Sequence, residues 1–485
     1  MQKRGRPRTV TPDAILANYG SEYFVSDGRN IVCKLCATNI RGGYQKYVEQ
    51  HIATKKHKKH VALCKQRERE ELTPSSSNSS TDRHNAFYLD LCNMMVSANI
   101  PFWKLENQYF RQFLEKYTGR ILASETTLRK EYLKLCYENV LQDIRKTLSD
   151  NKVWVSVDET TDCVGRSVAH VIVGTLSANN PGQRFLLTSE LLERVNHLTI
   201  FNLFEQSMLL LWPDGVKREN VLLLVTDGAS YMQKAAKKIQ QLYPGLVHVT
   251  CIAHCLHRVA ESVRSLFPDV DSFISHLKKI FLKSPSRLRT FREIEPDIPL
   301  PPRPIVTRWG TWLDAVLYYA KYYHQIVAIV NVLEDELNSS IKQAKRLVSE
   351  ELLNNIKFIA NNFGELSRCI TLLETQNMEM AKAIRLVEEL SIANSEPDDA
   401  ILLQVQQKLK TILQKNVGFS TLCAIRDEQE GDQNVNEGNT NTYSWFKFAP
   451  VTSCDVERSF SQHRSCLQEN RRSFSFENFK MYIVV

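Results

Sequence analysis

From about residue 151 the chain switches between strand-like and helix-like hydrophobic patterns. Val153, Val155 and Val157 alternate with Trp154 and Ser156, the period-two signature of a strand, and the run ends on Asp158 and Glu159. Ser167–Thr175 and Arg184–Leu192 read as two further strands, so the three would form an antiparallel meander. Leu198–Trp212 has helical periodicity. Val221–Val225 is an unbroken aliphatic run, as expected of a central strand covered on both faces, and it leads into Thr226, Asp227 and Gly228. Gly228 lets the chain turn into a helix from about Ala229. Leu246–Thr250 would be a fifth strand, with a helix from Ala253.

The flanking regions are helical or polar. Over 86–150, Phe87, Leu91, Met94 and Met95 mark one helix face, and Phe110, Phe113, Leu114 and Tyr117 mark another, with Pro101 as the break between them. These faces are expected to serve packing. Within 311–445, Leu313–Ile329 and Ile341–Ile370 read as long helices with Glu- and Lys-rich outer positions, and Asp427–Thr442 as a loop. Residues 66–85 include SSSNSS, which cannot bury enough surface to fold and would be a flexible tether.

Composition narrows the class. In a chain of 485 residues, 43% apolar and 24% charged residues suit a globular protein with room for several domains. No run of about 18 apolar residues is present, and the first ten residues lack the apolar core of a signal peptide, so no membrane association is expected. Twelve cysteines without dense, regular spacing fit a reducing compartment. The net charge of +8 is uneven: residues 1–70 hold fifteen Lys/Arg against six Asp/Glu, leaving the other 415 residues close to neutral. A basic head on a neutral body points to nucleic acid as the partner of the head.

The head holds two candidate devices. Arg4, Arg6 and Arg8, spaced by Gly5 and Pro7, form an extended basic strip suited to the minor groove of A·T-rich DNA. It resembles an AT-hook over 1–10; a nuclear localisation signal or a solvated tail explains the same residues. Within 20–65, Cys33 and Cys36 precede His51 by fourteen residues, and His57 follows after five more. Two thiolates on a turn and two imidazoles less than two helical turns apart can close a zinc tetrahedron, although His60 competes with His57. Lys55, Lys56, Lys58 and Lys59 would carry the ligand helix toward phosphates. The plainer reading is two ordinary cysteines and a His/Lys-rich helix. This stretch resembles the zinc finger of CGG triplet repeat-binding proteins. The likeness extends through Phe87–Cys92, Ser97–Pro101, Phe110–Leu114 and Thr127–Leu133, about 135 residues in all. It implies a nuclear location, double-stranded DNA as partner, and effects on transcription.

In the body, three strands, a helix, a strand, a helix and a strand, with carboxylates after the first and fourth strands, give the layout of an RNase H-like core. The expected fold class is α+β or α/β, an RNase H-like mixed sheet interrupted by an all-α insertion and preceded by a small ββα-type zinc finger. In such a core Asp158 and Asp227 converge, and a later helix supplies a third acid, here Glu457. Over 150–485 the chain resembles the hAT family of DNA transposases in five ordered motifs: Asp158 within DETTD, Asp227 within TDGAS, Cys251-Ile252-Ala253-His254, Arg308-Trp309, and Glu457-Arg458-Ser459-Phe460-Ser461. The resemblance implies that Asp158, Asp227 and Glu457 hold two Mg²⁺ or Mn²⁺ ions for DNA strand cleavage and transfer. By the same resemblance Trp309 would stack on a flipped base beside Arg308, and Cys251 and His254 would lie near the acids. The plain reading of Cys251 and His254 is a buried helix start, and Cys255 and His257 leave a second zinc conceivable. The helical insertion would occupy 311–445 between the first part of the core, 151–310, and its end, 446–485, with a tail that makes homo-oligomers. Two functions follow: a DNA transposase, or a non-catalytic DNA-binding transcriptional regulator built from one.

Overall fold

A computed structural model describes residues 24–26, 30–33, 36, 38–41, 45–58, 61, 78–282, 284–305, 310–334, 339–390, 399–431, 443–467 and 474–485. The chain divides into two units, Met1–Leu91 and Cys92–Val485.

In the first unit β1 (Phe24–Ser26), β2 (Asn30–Cys33) and β3 (Thr38–Arg41) form an antiparallel sheet in that order, followed by α1 (Gln45–Ala53). Two strands were the expectation for a ββα finger; the structure has three. The added strand is short, and its reason is Phe24, which pairs in register with Cys33 and is buried with Ile31, Ile40 and Val48. Its ring stacks on that of His57 at 5.7 Å between centroids.

The second unit begins with helices that include α2 (Gln108–Thr118) and α3 (Leu133–Leu148). Here the sequence expectation fails for one face. Helix α2 has no buried residue; Phe113 and Tyr117 are 61% and 68% exposed, as is most of Tyr109. Periodicity identifies an apolar stripe, but it does not say that anything covers the stripe.

A five-stranded mixed sheet follows, built from β4 (Lys152–Thr161), β5 (Ser167–Leu176), β6 (Arg184–Leu192), β7 (Val221–Thr226) and β8 (Val247–Thr250) in the order β6-β5-β4-β7-β8. The first three are antiparallel neighbours, whereas β7 runs parallel to both β4 and β8. Helices α4 (His197–Leu211), α5 (Ser230–Gln240) and α6 (Ile252–Leu266) connect and flank the strands. The alternation in β4 sorts its residues by face. Val153, Val155 and Val157 pack with Leu203, Phe204 and Met232. Trp154 packs on the opposite side with Ile172, Leu223 and Val225. Its indole lies over Gly174, where a Cβ would sit 2.5 Å from the ring, so only glycine fits.

Strand β4 runs past Asp158, the residue expected to end it. Glu159, Thr160 and Thr161 stay paired with Ala169, Val168 and Ser167, because β5 is long enough to carry the ladder on. Asp162 then closes the hairpin, accepting hydrogen bonds from the Val164 and Arg166 amides at 2.9 Å and pairing with the Arg166 guanidinium at 2.8 Å.

Beyond α6 the described chain is helical as far as residue 431. Helix α7 (Thr311–Val332) packs on α9 (Glu350–Leu373). The single helix expected over 341–370 is divided into α8 (Ser340–Leu347) and α9, because Ser349 leaves the helix and caps the next one by accepting from the Leu352 amide. Helix α10 (Val417–Gly431) lies against β8, and Asn416 just before it exchanges hydrogen bonds with the Thr250 amide and carbonyl at 3.1 and 2.7 Å. That side chain occupies backbone groups that an edge strand would otherwise leave open. The chain returns to the sheet through α11 (Cys454–Cys466) and α12 (Phe476–Val484), which packs on β6. Among the described residues no helix is long and apolar enough to cross a membrane.

Candidate metal centres

Cys33 Sγ and Cys36 Sγ lie 3.4 and 3.6 Å from His57 Nδ1, and one ligand atom of each of Cys33, Cys36, His51 and His57 falls within 4.8 Å of the others. At normal zinc bond lengths, sulfur and nitrogen on adjacent corners of a tetrahedron stand about 3.6 Å apart. His51 Nε2 is buried without a hydrogen-bond partner. Burial, then His57 and Lys56, hold the His51 imidazole below its usual range, so it is a neutral donor. Burial and the neighbouring Cys33 push the Cys36 thiol up, a cost that a cation among the four would reverse. The donor set fits zinc. Lys55, Lys56 and Lys58 are exposed around it. Lys59, His60 and the arm residues Arg4, Arg6 and Arg8 lie outside the described residues.

The second centre is assembled by the large sheet. Parallel pairing of β4 and β7 runs up to Val157–Thr226, so Asp158 and Asp227 follow side by side, one residue further along each strand. Glu457 reaches them from the first turn of α11, and His254 from the first turn of α6. One ligand atom each from Asp158, His254 and Glu457 lies within 4.8 Å of the other two, with His254 Nε2 at 3.9 Å from Glu457 Oε1. Asp158 is 5% exposed. Its Oδ1 accepts from the Glu159 amide at 2.8 Å, while its Oδ2 is buried without a hydrogen-bond partner. Asp227 Oδ1 accepts from the Ala229 amide at 3.1 Å.

The electrostatics of this centre follow from crowding acids in a buried place. Burial, with Asp227 and Glu457 adding to it, raises the Asp158 carboxyl well above its usual range. Burial also raises Asp227 and Glu457, against the opposing charge of His254. For His254 burial works against the charged form, but Cys251, Asp158 and Glu457 outweigh it and push its pKa up to about 9. Until a cation binds, the protonated imidazole supplies positive charge to a pocket short of it, and a bound cation would take over that charge as the ring gives up its proton. Asp158 and Glu457 bring oxygen donors to one point with His254, whereas Asp227 lies outside that 4.8 Å group; with Asp158 Oδ2 buried and nothing to bind, the set fits a divalent cation.

Other candidates fall differently. Glu159, next to Asp158, accepts from the Tyr231 hydroxyl at 2.9 Å. Arg308 and Trp309 lie outside the described residues. Sequence reasoning did not single out the support behind Glu457. His170 Nδ1 lies 2.7 Å from Ser459 Oγ, and its Nε2 lies 3.1 Å from His463 Nδ1, all buried. The only sequence trace of this is a histidine inside the otherwise aliphatic β5.

Residues 123–280 match a family described as a domain of unknown function, DUF659. A DUF659 domain is thus present; it spans the sheet with Asp158, Asp227 and His254 and stops before Glu457. No curated protein matches the chain.

Proposed function

We propose that this chain is a hAT-transposase-related, zinc-dependent, double-stranded-DNA-binding protein of the nucleus whose body cleaves and transfers DNA strands at Asp158, Asp227 and Glu457. The observation that carries the reading is the buried, unpartnered Oδ2 of Asp158 facing further acid, a costly arrangement that a cation would relieve. The DUF659 match supports a relation to hAT transposases, and the strand order β6-β5-β4-β7-β8 supports an RNase H-like core. Asp158, Asp227 and Glu457 would hold Mg²⁺ or Mn²⁺, which supplies charge neutralisation at the scissile phosphate and a stronger oxygen nucleophile. Strand β4 and the end of β7 would orient the phosphate, and α11 would close the site by bringing its glutamate.

The other parts take supporting roles in this reading. Cys33, Cys36, His51 and His57 would hold zinc, and Lys55, Lys56 and Lys58 would contact phosphates. Arg4, Arg6, Arg8, Lys59, Arg308 and Trp309 would add DNA contacts, and the C-terminal region would join copies of the chain. The test is incubation of purified protein and Mn²⁺ or Mg²⁺ with DNA carrying its terminal repeats, read on denaturing gels. Nicks or hairpins that vanish in Asp158→Asn are expected. Cleavage unchanged by that substitution defeats the acid assignment, and DNA binding without any cleavage assigns a regulator instead.

A further inference from the structure

His254 has no task in the chemistry just proposed, yet it stands among the acids. Three elements that are distant in sequence place one donor each around the same point: strand β4, the first turn of α6 and the first turn of α11. We propose that His254 is itself a cation ligand, so that Asp158, His254 and Glu457 form a mixed nitrogen–oxygen site that prefers a transition-type divalent ion such as Mn²⁺ to Mg²⁺. The inference rests on the reading of these acids as cation-binding and adds the nitrogen donor and the selectivity.

The spacing suits a shared ion. Donors on opposite sides of one cation at ordinary bond lengths stand about 4.4 Å apart, and those on adjacent corners nearer 3 Å. The 3.9 Å between His254 Nε2 and Glu457 Oε1 and the 4.8 Å limit for the trio are therefore within a small side-chain adjustment of ligation. Asp158 Oδ2 meets the requirement for a donor that nothing else uses.

A second layer holds the imidazole. Cys251, the residue before α6, is the neighbour that most raises the His254 pKa, and Cys251 Sγ accepts from the Ser453 amide at 3.2 Å. Ser453 is the residue before α11. One buried thiol thus ties together the starts of the two helices that carry His254 and Glu457. Groups behind a ligating histidine tune it as a donor. The preference follows from the donors: Mg²⁺ takes oxygen ligands and gives up water reluctantly, whereas imidazole favours transition ions.

The test uses the full chain with zinc in its finger, titrated with Mn²⁺ and examined by electron spin-echo envelope modulation. A ¹⁴N coupling on the bound Mn²⁺ is expected, and it should disappear together with the bound ion in Asp158→Asn. His254→Glu should keep Mn²⁺ without the nitrogen coupling and narrow the Mn²⁺-to-Mg²⁺ affinity ratio about tenfold. Should His254→Glu fail to fold by circular dichroism, the wild-type spectrum decides alone. Asp158-dependent Mn²⁺ without nitrogen coupling overturns the role of His254 and leaves the acids standing. Absence of binding, or binding indifferent to Asp158→Asn, overturns the acid reading and this inference with it.

Discussion

Asp158 and His170 stand directly opposite each other in the β4–β5 ladder, so their side chains leave the same face of the sheet. From His170 the contacts pass to Ser459 and His463 on α11, the helix that carries Glu457. The strand that carries one acid is thereby tied through its neighbour to the helix that presents another. His170→Leu should take the partner from His463 Nδ1 in the interior, while Ser459 Oγ keeps its bond to the Val456 carbonyl, costing on the order of 2 kcal/mol. Urea unfolding followed by circular dichroism checks the cost, and weaker Mn²⁺ binding in the same variant checks the positioning. A midpoint equal to wild type would sink the claim.

Stability should depend on pH through the buried histidines. Burial holds His170 well below its ordinary range and lowers His248 and His463 to about 4. The folded state thus binds these protons less readily than the unfolded chain. Their contribution is complete above about pH 6.5 and is lost as pH falls from there toward 4. For His463 the full shift corresponds to about 3 kcal/mol as an upper bound. Melting temperature measured across that window should fall with acid, and the slope should be shallower in His463→Phe.

Removing zinc should act on the first unit. Cys33→Ser takes away one of four donors, so bound zinc measured by a chromophoric chelator should be lost, and DNA affinity should drop by tenfold or more. Retained zinc with undiminished DNA binding would remove the finger assignment.

A single methyl group tests the packing of α10 on the sheet edge. A Cβ at Gly418 would lie 1.8 Å from the His248 carbonyl oxygen and 3.0 Å from Val249 Cα. Backbone cannot swing away as a side chain can, so Gly418→Ala should destabilise by about 1–3 kcal/mol in chemical denaturation. A neutral result would mean that α10 does not sit on β8.

Phe113 and Tyr117 offer the opposite expectation. Because both are mostly exposed, Phe113→Ser and Tyr117→Ser should change folding stability by no more than about 0.5 kcal/mol. A loss of 2 kcal/mol or more in thermal unfolding would show that this face is covered.

The comparison of Phe113 with Val155 shows what sequence can tell. Both sit in clean periodic patterns, and both patterns yield the right element. Val155 also packs as expected, because β4 is flanked by β5 and β7 and must be covered on both faces. The stripe on α2 lacks such a topological demand, and its exposure could not be read. The break at Ser349 was legible in principle, since a serine followed by Glu350 and Glu351 is a helix-start signal, but the continuous periodicity overrode it. The adjacency of Asp158 and Asp227 followed from strand order. The place of His254 near the acids was an expectation of the family resemblance alone, because a C-x-x-H run at a helix start has a plain packing explanation that only side-chain positions can displace. His170 was hidden for a related reason: its partners lie almost 300 positions away.

That separation bears on synthesis. Asp158 emerges from the ribosome 299 residues before Glu457. At ordinary elongation rates the early acid waits on the order of tens of seconds for the late one. Throughout that interval the nascent chain has neither the third carboxylate nor the helix that covers His170. The order of residues along the message acts as a timer: the centre is completed only once the 299 residues that follow Asp158 have been made.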